Sequence, residues 1–434
     1  MNTQAPALQV RSRSRAAEMV RALRHRNFQL FFSGQLISLV GTWMDTVAEG
    51  WLVYRLTHSS LLLGVATFAG QIPVFLLAPL GGTVADRWDR RKIVIATQTT
   101  SMILAFILAI LTLSKIVTVW EIIVLAALMG SVNAVDIPTR QAFLMDMVGR
   151  EDLMNAIALN SSMFNAARVV GPSVAGLIVA WKGEGWCFLA NAISYIAVIA
   201  GLIAMEIERK APLVHAASPL EHITEGFRFV RDTAPIRAIL LLIALVSLLA
   251  TPYWVLMPIF AARILHGNAR TLGALMAATG IGAMCGALLL AARSGTRGLG
   301  RVVATACAGF GASLILFSLS RWFPLSLLLL VPVGFCLMTQ MAASNTLIQS
   351  MAPDHLRGRI MAIYSMMFMG MVPLGALLSG ALADHVGAPM TVALGGTGAI
   401  AGAIVFGRNL SKLRVEARQL IAAQGIASDA PGQD

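Results

Sequence analysis

Charged residues are scarce in this 434-residue chain. Asp, Glu, Lys and Arg together make up 12% of it, whereas hydrophobic residues make up 57%. Soluble domains carry roughly a quarter charged residues, so this composition excludes a soluble globular protein. Apolar runs recur from Phe28 to Phe406, each long enough to cross the hydrocarbon core as a helix. Because lipid offers no partner to an unpaired backbone, we predict an all-α polytopic membrane protein.

Cysteines and catalytic motifs are also sparse. The cysteines lie inside apolar segments without paired spacing, so we interpret them as packing residues rather than as disulfide partners or metal ligands. They are Cys187, Cys285, Cys307 and Cys336. The sequence contains neither the P-loop pattern for ATP nor the common hydrolase and zinc-protease patterns. We therefore predict no enzyme activity, no metal and no cofactor.

The apolar runs predict twelve transmembrane helices. Their approximate bounds are 28–54, 61–82, 93–114, 119–137, 156–180, 186–207, 237–261, 271–292, 301–319, 323–343, 360–383 and 389–406. A polar segment with an amphipathic stretch divides them into two sets of six. The predicted organisation is a basic cytoplasmic tail (1–26), a first bundle (27–207), a linker with an amphipathic helix (208–235), a second bundle (236–407) and a cytoplasmic tail (408–434).

The two halves resemble each other in sequence. A shift of 204 residues places Ala158, Ser161, Phe164, Gly171 and Gly176 on Ala362, Ser365, Phe368, Gly375 and Gly380. The matched segments form the fifth span of each half. Parallel six-helix repeats with a substrate site between them are the plan of one large transporter class. The repeat therefore predicts two pseudo-symmetric bundles.

A net charge of +12 could suggest a nucleic-acid partner, but its distribution does not. Most Lys and Arg fall in loops on the side that holds both termini, as the positive-inside rule requires. The exceptions on the other side are Arg55, Lys115, Lys182, Arg263, Arg270 and Arg321. We therefore predict a multi-pass protein of the plasma (inner) membrane with both termini cytoplasmic, and no nucleic-acid partner.

A charged motif follows the second predicted span, from Gly82 to Lys92. Four-residue steps would place Gly82, Asp86 and Arg90 on one helix face, where Asp86 can pair with Arg90. The motif resembles the Gly-x-x-x-Asp-Arg-x-x-Arg-Arg signature of the major facilitator superfamily. The resemblance implies a latch that steadies the outward-facing state. Its members here would be Gly82, Asp86, Arg87, Arg90 and Arg91, with Asp136 as a third charged group.

The fifth predicted span carries a second motif, at Gly171, Pro172, Ala175 and Gly176. Pro172 removes a backbone hydrogen bond, and the small residues allow a bend and tight packing. The motif resembles the antiporter motif of drug–proton exchangers. The segments 136–143, 149–153 and 155–165 around it resemble the branch of the superfamily that includes enterobactin and macrolide exporters. The resemblance implies export, although any kinked membrane helix would show the same physical features.

Three charged residues fall deep within predicted spans: Asp45, Glu49 and Arg168. A charge at the bilayer centre costs about 2.5–3.5 kcal/mol or more, so such residues usually have partners or a function. One hypothesis is a proton-coupling site whose protonation changes as Arg168 or substrate approaches. The alternative is a permanent Asp45–Arg168 ion pair that holds two helices in register.

Other polar, aromatic and Met residues near these charges could line a cavity, although each could equally serve helix packing. The candidates are Gln35, Thr42, Gln71, Asn160, Ser161, Asn165, Tyr253, Trp254, Gln340, Met341, Tyr364 and Phe368. Together these features predict a monomeric, proton-coupled exporter of a small, partly apolar molecule such as a drug, macrolide or siderophore. The alternatives are a lipid or sugar-derivative carrier without proton coupling and a non-transporting membrane sensor or scaffold.

Overall fold

The computed structural model describes residues 21–206, 219–293 and 295–423, without the side chains of 219–224. The outer parts of both predicted tails and the first half of the linker lie outside the described residues. The helices of the first half are α1 Arg26–Thr57, α2 Ser60–Arg87, α3 Arg90–Leu113, α4 Val119–Lys182 and α5 Glu184–Ile203. A 3-10 turn, Arg21–Arg24, precedes them.

The second half follows a linker helix, α6 Pro219–Asp232. Its helices are α7 Ala234–Leu249, α8 Ala269–Ala291, α9 Leu299–Leu319, α10 Phe323–Met351, α11 Asp354–Met369, α12 Met371–Val386, α13 Ala388–Arg408 and α14 Leu410–Ala423. After α7 the seventh span continues through a 3-10 segment, a short α turn and a π turn, which are Thr251–Leu256, Met257–Ile259 and Phe260–Ile264.

The predicted twelve spans are confirmed once α4 is divided. Gly149 in α4 has φ 73° and ψ −179°, a conformation that an L side chain rarely adopts, so it separates two spans that are otherwise continuous. We call them α4a (119–148) and α4b (150–182). The remaining break in the second half, at Gly370, only divides one span into α11 and α12.

Polar caps set several helix starts. The Ser59 hydroxyl accepts a hydrogen bond from the Leu62 amide at 3.3 Å and begins α2, while the Asp89 carboxylate accepts one from the Lys92 amide at 3.3 Å and begins α3. The sequence prediction placed Gly82, Asp86 and Arg90 on one helix face, which was wrong, because Arg90 lies on the next helix. Helix α2 runs on to Arg87, and the basic residues of the motif open the next helix.

The two bundles run side by side, and their ends differ. We call the end that holds Arg21–Arg24, α6 and α14 the terminal end, and the other the distal end. At the terminal end, the Asn27 amide donates to the Glu206 carbonyl at 2.8 Å. There too, Glu225 of α6 pairs with Arg359 of α11, which fixes the linker helix against the second half.

Candidate functional site

The distal end joins the two halves through backbone contacts between α2 and α12. A Cβ placed on Gly64 would lie 2.6 Å from the carbonyl oxygen of Ala376, and one on Gly380 would lie 2.6 Å from that of Ser60. The Ser60 hydroxyl also donates to the Asp384 carboxylate at 3.3 Å. Because any side chain larger than hydrogen would clash, the two helices approach closely only with glycine at both positions.

A second such contact joins α4b to α8. A Cβ on Gly273 would lie 2.4 Å from the Pro172 carbonyl oxygen, and one on Gly176 would lie 2.9 Å from that of Ala269. Pro172 and Gly176 belong to the predicted antiporter motif. Part of this motif therefore packs the two halves together.

The rest of the antiporter motif faces the first half. A Cβ on Gly171 would lie 2.4 Å from the Cβ of Trp43 on α1, so Gly171 lets α4b approach α1. Ala175 is fully buried. The motif thus packs one face of α4b against α8 and another face against α1.

The same helices separate toward the terminal end. On α4b the face that carries Pro172 and Gly176 continues through Ser161 to Met154, and both of these are exposed, Met154 by 75%. Residues at such spacings recur on one helix face, so this surface passes from packed to open along its length.

Helix α2 shows the same change. Gly64 packs against α12, and Phe75 lies against Gly370, whose added Cβ would be 2.4 Å from the phenyl ring. One further step along this face, nothing described lies within 4 Å of a Cβ on Gly82. The two halves therefore enclose a wedge-shaped space that is closed at the distal end and open at the terminal end.

Arg168 lies at the apex of this wedge. Its backbone carbonyl packs on Gly280 of α8, 2.9 Å from an added Cβ, and its guanidinium carbon lies 5.7 Å from the Trp43 ring centroid. Phe164 meets the same indole edge-on, with ring centroids 5.6 Å apart.

Asp45 faces a different way from Arg168. A Cβ on Gly41, one turn earlier, would lie 2.7 Å from the amide oxygen of Asn191 on α5, and Asn191 also lies beside the Asp45 carboxylate. The Oδ1 atom of Asp45 is buried without a hydrogen-bond partner. Glu49 follows one turn later on the same face of α1.

The Asp45–Arg168 ion pair suggested by the sequence does not form among the described residues. Arg168 contacts the Trp43 side of α1, and Asp45 lies two residues further on. At 3.6 residues per turn, two residues correspond to about 200° around the helix. Asp45 therefore points into the first bundle, while Arg168 lies between the bundles.

The latch residues form a network within the first half. Arg90 lies 3.7 Å from Asp86 and 3.0 Å from Asp146, an acid of α4a that the sequence reading missed. The prediction ended this span at residue 137 and so left Asp146 in a loop. Arg91 donates to the carbonyl groups of Leu202 and Ile203, and Arg87 is exposed.

Asp136 stands apart from this network. Its carboxylate is 2% exposed and accepts hydrogen bonds from the Thr97 hydroxyl at 2.6 Å and the Gln98 amide at 3.0 Å. It also pairs with Arg140 at 3.4 Å. The idea that Asp136 joins Asp86 and Arg90 therefore does not hold in this conformation, because its own neighbours surround it.

The cavity candidates divide by burial. Among those in the first half, Thr42, Gln71 and Ser161 are exposed and Asn160 and Asn165 half-buried, whereas Gln35 is buried and its Oε1 atom has no partner. In the second half Trp254 and Phe368 are half-buried. The buried ones are Tyr253, Gln340, Met341 and Tyr364. Neither amide atom of Gln340 has a hydrogen-bond partner.

A groove of about 820 Å³ lies elsewhere, between the end of α2, α3 and α4a. Trp88 and Lys92 border it, and Leu104 and Leu128 supply apolar wall. All its lining residues come from the first half. It is therefore separate from the space between the bundles.

Solved structures with the same architecture include two transporters. A POT family transporter bound to a thioalcohol-conjugated peptide aligns with a TM-score of 0.72 at 11% identity, covering 91% of this chain and 99% of its own. A bacterial homologue of the human lysosomal transporter Spinster, inward-facing and unoccupied, aligns with a TM-score of 0.63 at 15% identity, covering 94% and 99%. The fold is that of a major facilitator superfamily transporter, in two bundles of six helices.

The family described as transmembrane secretion effector matches residues 18–429, and the chain belongs to it. The staphyloferrin A transporter of Staphylococcus aureus is 27% identical, over 87% of this chain and 94% of its own. The multidrug efflux pump Tap of Mycolicibacterium fortuitum is 28% identical, over 82% and 89%. The enterobactin exporter EntS of Shigella boydii is 26% identical, over 91% and 93%. The chain is thus a multi-pass membrane transporter and not an enzyme.

Proposed function

We propose that this protein exports a small, partly apolar molecule, of the siderophore or drug type, across the inner membrane by proton-coupled alternating access. The observation that carries the proposal is the wedge between the bundles, packed through glycine at the distal end and open at the terminal end. The names of the relatives, which include a siderophore exporter and a multidrug efflux pump, support the direction and the kind of substrate.

In this proposal the terminal end faces the cytoplasm, since most Lys and Arg lie in the loops of that end. The substrate enters the open wedge from the cytoplasm. The bundles then rock so that the terminal end closes and the distal end opens. In the present conformation no described atom of a neighbouring element lies within 4 Å of a Cβ on Gly82, and this position would become close-packed when the terminal end closes.

Asp45 and Glu49 are our candidates for proton binding. Both lie within the span formed by α1, and no cation pairs with either among the described residues. A carboxylate at such a depth is costly unless it is paired or functional. A proton that enters from the distal side would neutralise one of these two acids during the return of the empty transporter.

The test is transport in proteoliposomes with a panel of siderophores, macrolides and hydrophobic cations, while internal pH is recorded. We expect export of at least one compound with opposite proton movement, and loss of proton-driven export in Asp45→Asn. Asp232→Asn, at an exposed acid of the linker helix, is the control and should leave export unchanged.

The outcomes separate the alternatives. Export without proton movement would indicate a carrier that needs no proton, and undiminished proton-driven export by Asp45→Asn would remove Asp45 from the mechanism. A well-folded protein that moves none of these compounds, and no lipid or sugar derivative, would favour a sensor or scaffold.

A further inference from the structure

Arg168 is a cation without an anion. Among the described residues its side chain makes no ion pair, and no hydrogen bond to it is found. These unbonded nitrogen atoms are not among the fully buried polar atoms, so solvent can reach them. A guanidinium has five N–H donors, and here none of them is bonded to a described residue.

The position of Arg168 makes it reachable from the terminal end. On the same face of α4b, Ser161 is exposed and Asn165 half-exposed, whereas Pro172 on the other side of Arg168 is buried against α8. Arg168 therefore sits where the open wedge meets the closed distal contact. A molecule that entered from the terminal end would meet this charge at the end of its path.

An aromatic surface adjoins the guanidinium. Arg168 lies over the Trp43 ring, and Phe164 packs edge-on against the same ring, so the three side chains form one contiguous surface. Phe164 is 46% exposed. A planar apolar group can stack beside these rings while an attached oxyanion reaches the guanidinium, a geometry that suits arginine better than lysine.

We propose that Arg168 is the anion-binding residue of the wedge, and that the transported molecule carries a carboxylate or comparable oxyanion attached to an aromatic or apolar body. This inference rests on the proposed function and names its substrate class. It also takes Arg168 out of the set of proton carriers, because a guanidinium does not release its proton in proteins. The substrate itself would offset the cost of this charge in the membrane.

The test compares two fluorescent probes that share a skeleton, 1-anilinonaphthalene-8-sulfonate and the neutral N-phenyl-1-naphthylamine. Binding is measured in nanodiscs, with protein-free discs subtracted. We expect the wild type to bind the sulfonate several-fold more tightly. Arg168→Gln should weaken sulfonate binding about tenfold or more, as for a lost charged hydrogen bond, and change binding of the neutral probe less than about twofold.

Two further variants complete the design. Arg168→Lys should keep part of the preference for the sulfonate, because it keeps the charge but loses the planar fork. Arg301→Gln, at an exposed arginine in the first turn of α9, should behave as wild type. The probe ratio of the wild type is informative even where a variant fails to assemble.

The inference is overturned if the wild type binds both probes equally or neither, or if Arg168→Gln weakens both to the same extent, which would indicate a packing role. Because binding is measured without a gradient, a protein that binds the sulfonate but exports nothing would refute the proposed function and leave the anion site standing. Export of exclusively neutral or cationic compounds would refute the anion site and leave the proposed export function standing.

Discussion

The two halves meet by backbone at the distal end, whereas the ion pairs between described helices of the terminal end do not cross from the first bundle to the second. The Gly273 contact with the Pro172 carbonyl crosses between the bundles. The Arg90–Asp146 pair joins α3 to α4a of the same bundle. A backbone contact between helices depends on the absence of a Cβ, so it tolerates almost no substitution. An ion pair between long charged side chains can adjust its geometry when the helices shift.

This difference suggests how the conformation is held. Close helix packing is either formed or lost, because a gap of less than 1 Å already removes much of the dispersion energy. Ion pairs within one bundle instead stabilise that bundle as a rigid body. We therefore expect substitutions at distal glycines to shift the balance between conformations, and substitutions in the terminal-end pairs to affect stability with less effect on that balance.

The largest effect is expected from Gly273→Leu, because even its Cβ would lie 2.4 Å from the Pro172 carbonyl oxygen. Overpacking costs roughly 1–3 kcal/mol, and the middle of this range changes the ratio of two conformations by about thirtyfold. We expect export to fall by about tenfold or more. Spin labels at Glu151 and His355, on opposite halves of the terminal end, should move closer together.

The control is Gly407→Leu, since nothing lies within 4 Å of a Cβ there. It should transport like the wild type. Unchanged label distances and full export in Gly273→Leu would mean that the distal contact does not determine the conformation. The proposed difference between the two ends would then be wrong.

Gly82→Leu should have the next largest effect, and in the opposite direction. Its side chain meets no neighbour in the present conformation, so this conformation should remain intact. If Gly82 becomes close-packed when the terminal end closes, a leucine there obstructs closure. We expect export to fall about fivefold or more at unchanged probe binding, as for about 1 kcal/mol against one conformation.

Thr83→Leu is the matched control, because Thr83 is the neighbouring exposed residue on another face of α2. A similar loss of export in both variants would point to a general effect of bulk at this helix end. The label distances distinguish the cases: only Gly82→Leu should hold the terminal end open after substrate is added.

The fold was predictable because its main determinant is local. An apolar run of span length has few alternatives in lipid, so the sequence predicted all twelve spans. Helix ends were predicted less well, because they depend on caps and single backbone angles. The break at Gly149 requires a positive φ, and the cap at Asp89 requires a turn after Trp88; neither is visible in hydropathy.

For the site, the sequence could predict only which residues share a face of the same helix. Four- and three-residue steps along one helix are enough to place Ser161, Asn165 and Arg168 on one face. It could not determine which neighbour that face meets, because this depends on how helices rotate against one another. For this reason Asp45 was matched to Arg168, although α1 turns them apart, and Asp146 was missed as the closer partner of Arg90.

A smaller effect separates two acids that contact the same arginine. Asp146 is 18% exposed and 3.0 Å from Arg90, whereas Asp86 is 70% exposed and 3.7 Å away. Asp146→Asn should lower the free energy of unfolding by about 1–3 kcal/mol, and Asp86→Asn by less than about 0.5 kcal/mol. Titration of the detergent-solubilised protein with SDS measures both. Equal losses would show that exposure does not decide the strength of these pairs.

The smallest effect concerns the segment before α1. Arg21 and His25 both contact the Asp152 carboxylate, His25 at 2.7 Å, and the Ala22 amide donates to Asn155 at 2.8 Å. The hydrogen bond from His25, and then that from Arg21, lower the pKa of Asp152 below its usual value. A lowered pKa means that the contact contributes above the ordinary carboxyl pKa of about 4 and is lost as pH falls through the folded value.

A nitroxide at Leu23 should therefore be immobile at pH 7 in the wild type and gain mobility only when the pH falls below about 4. In Asp152→Asn it should be mobile at both pH values, with export changed less than about twofold because the contact lies within one half. Glu151→Gln is the control, since Glu151 accepts a hydrogen bond from Arg21 through its backbone carbonyl, at 3.2 Å, and the substitution keeps that carbonyl. A label that stays immobile in Asp152→Asn would show that packing of the buried Ala22, rather than the charge, holds this segment to the first bundle.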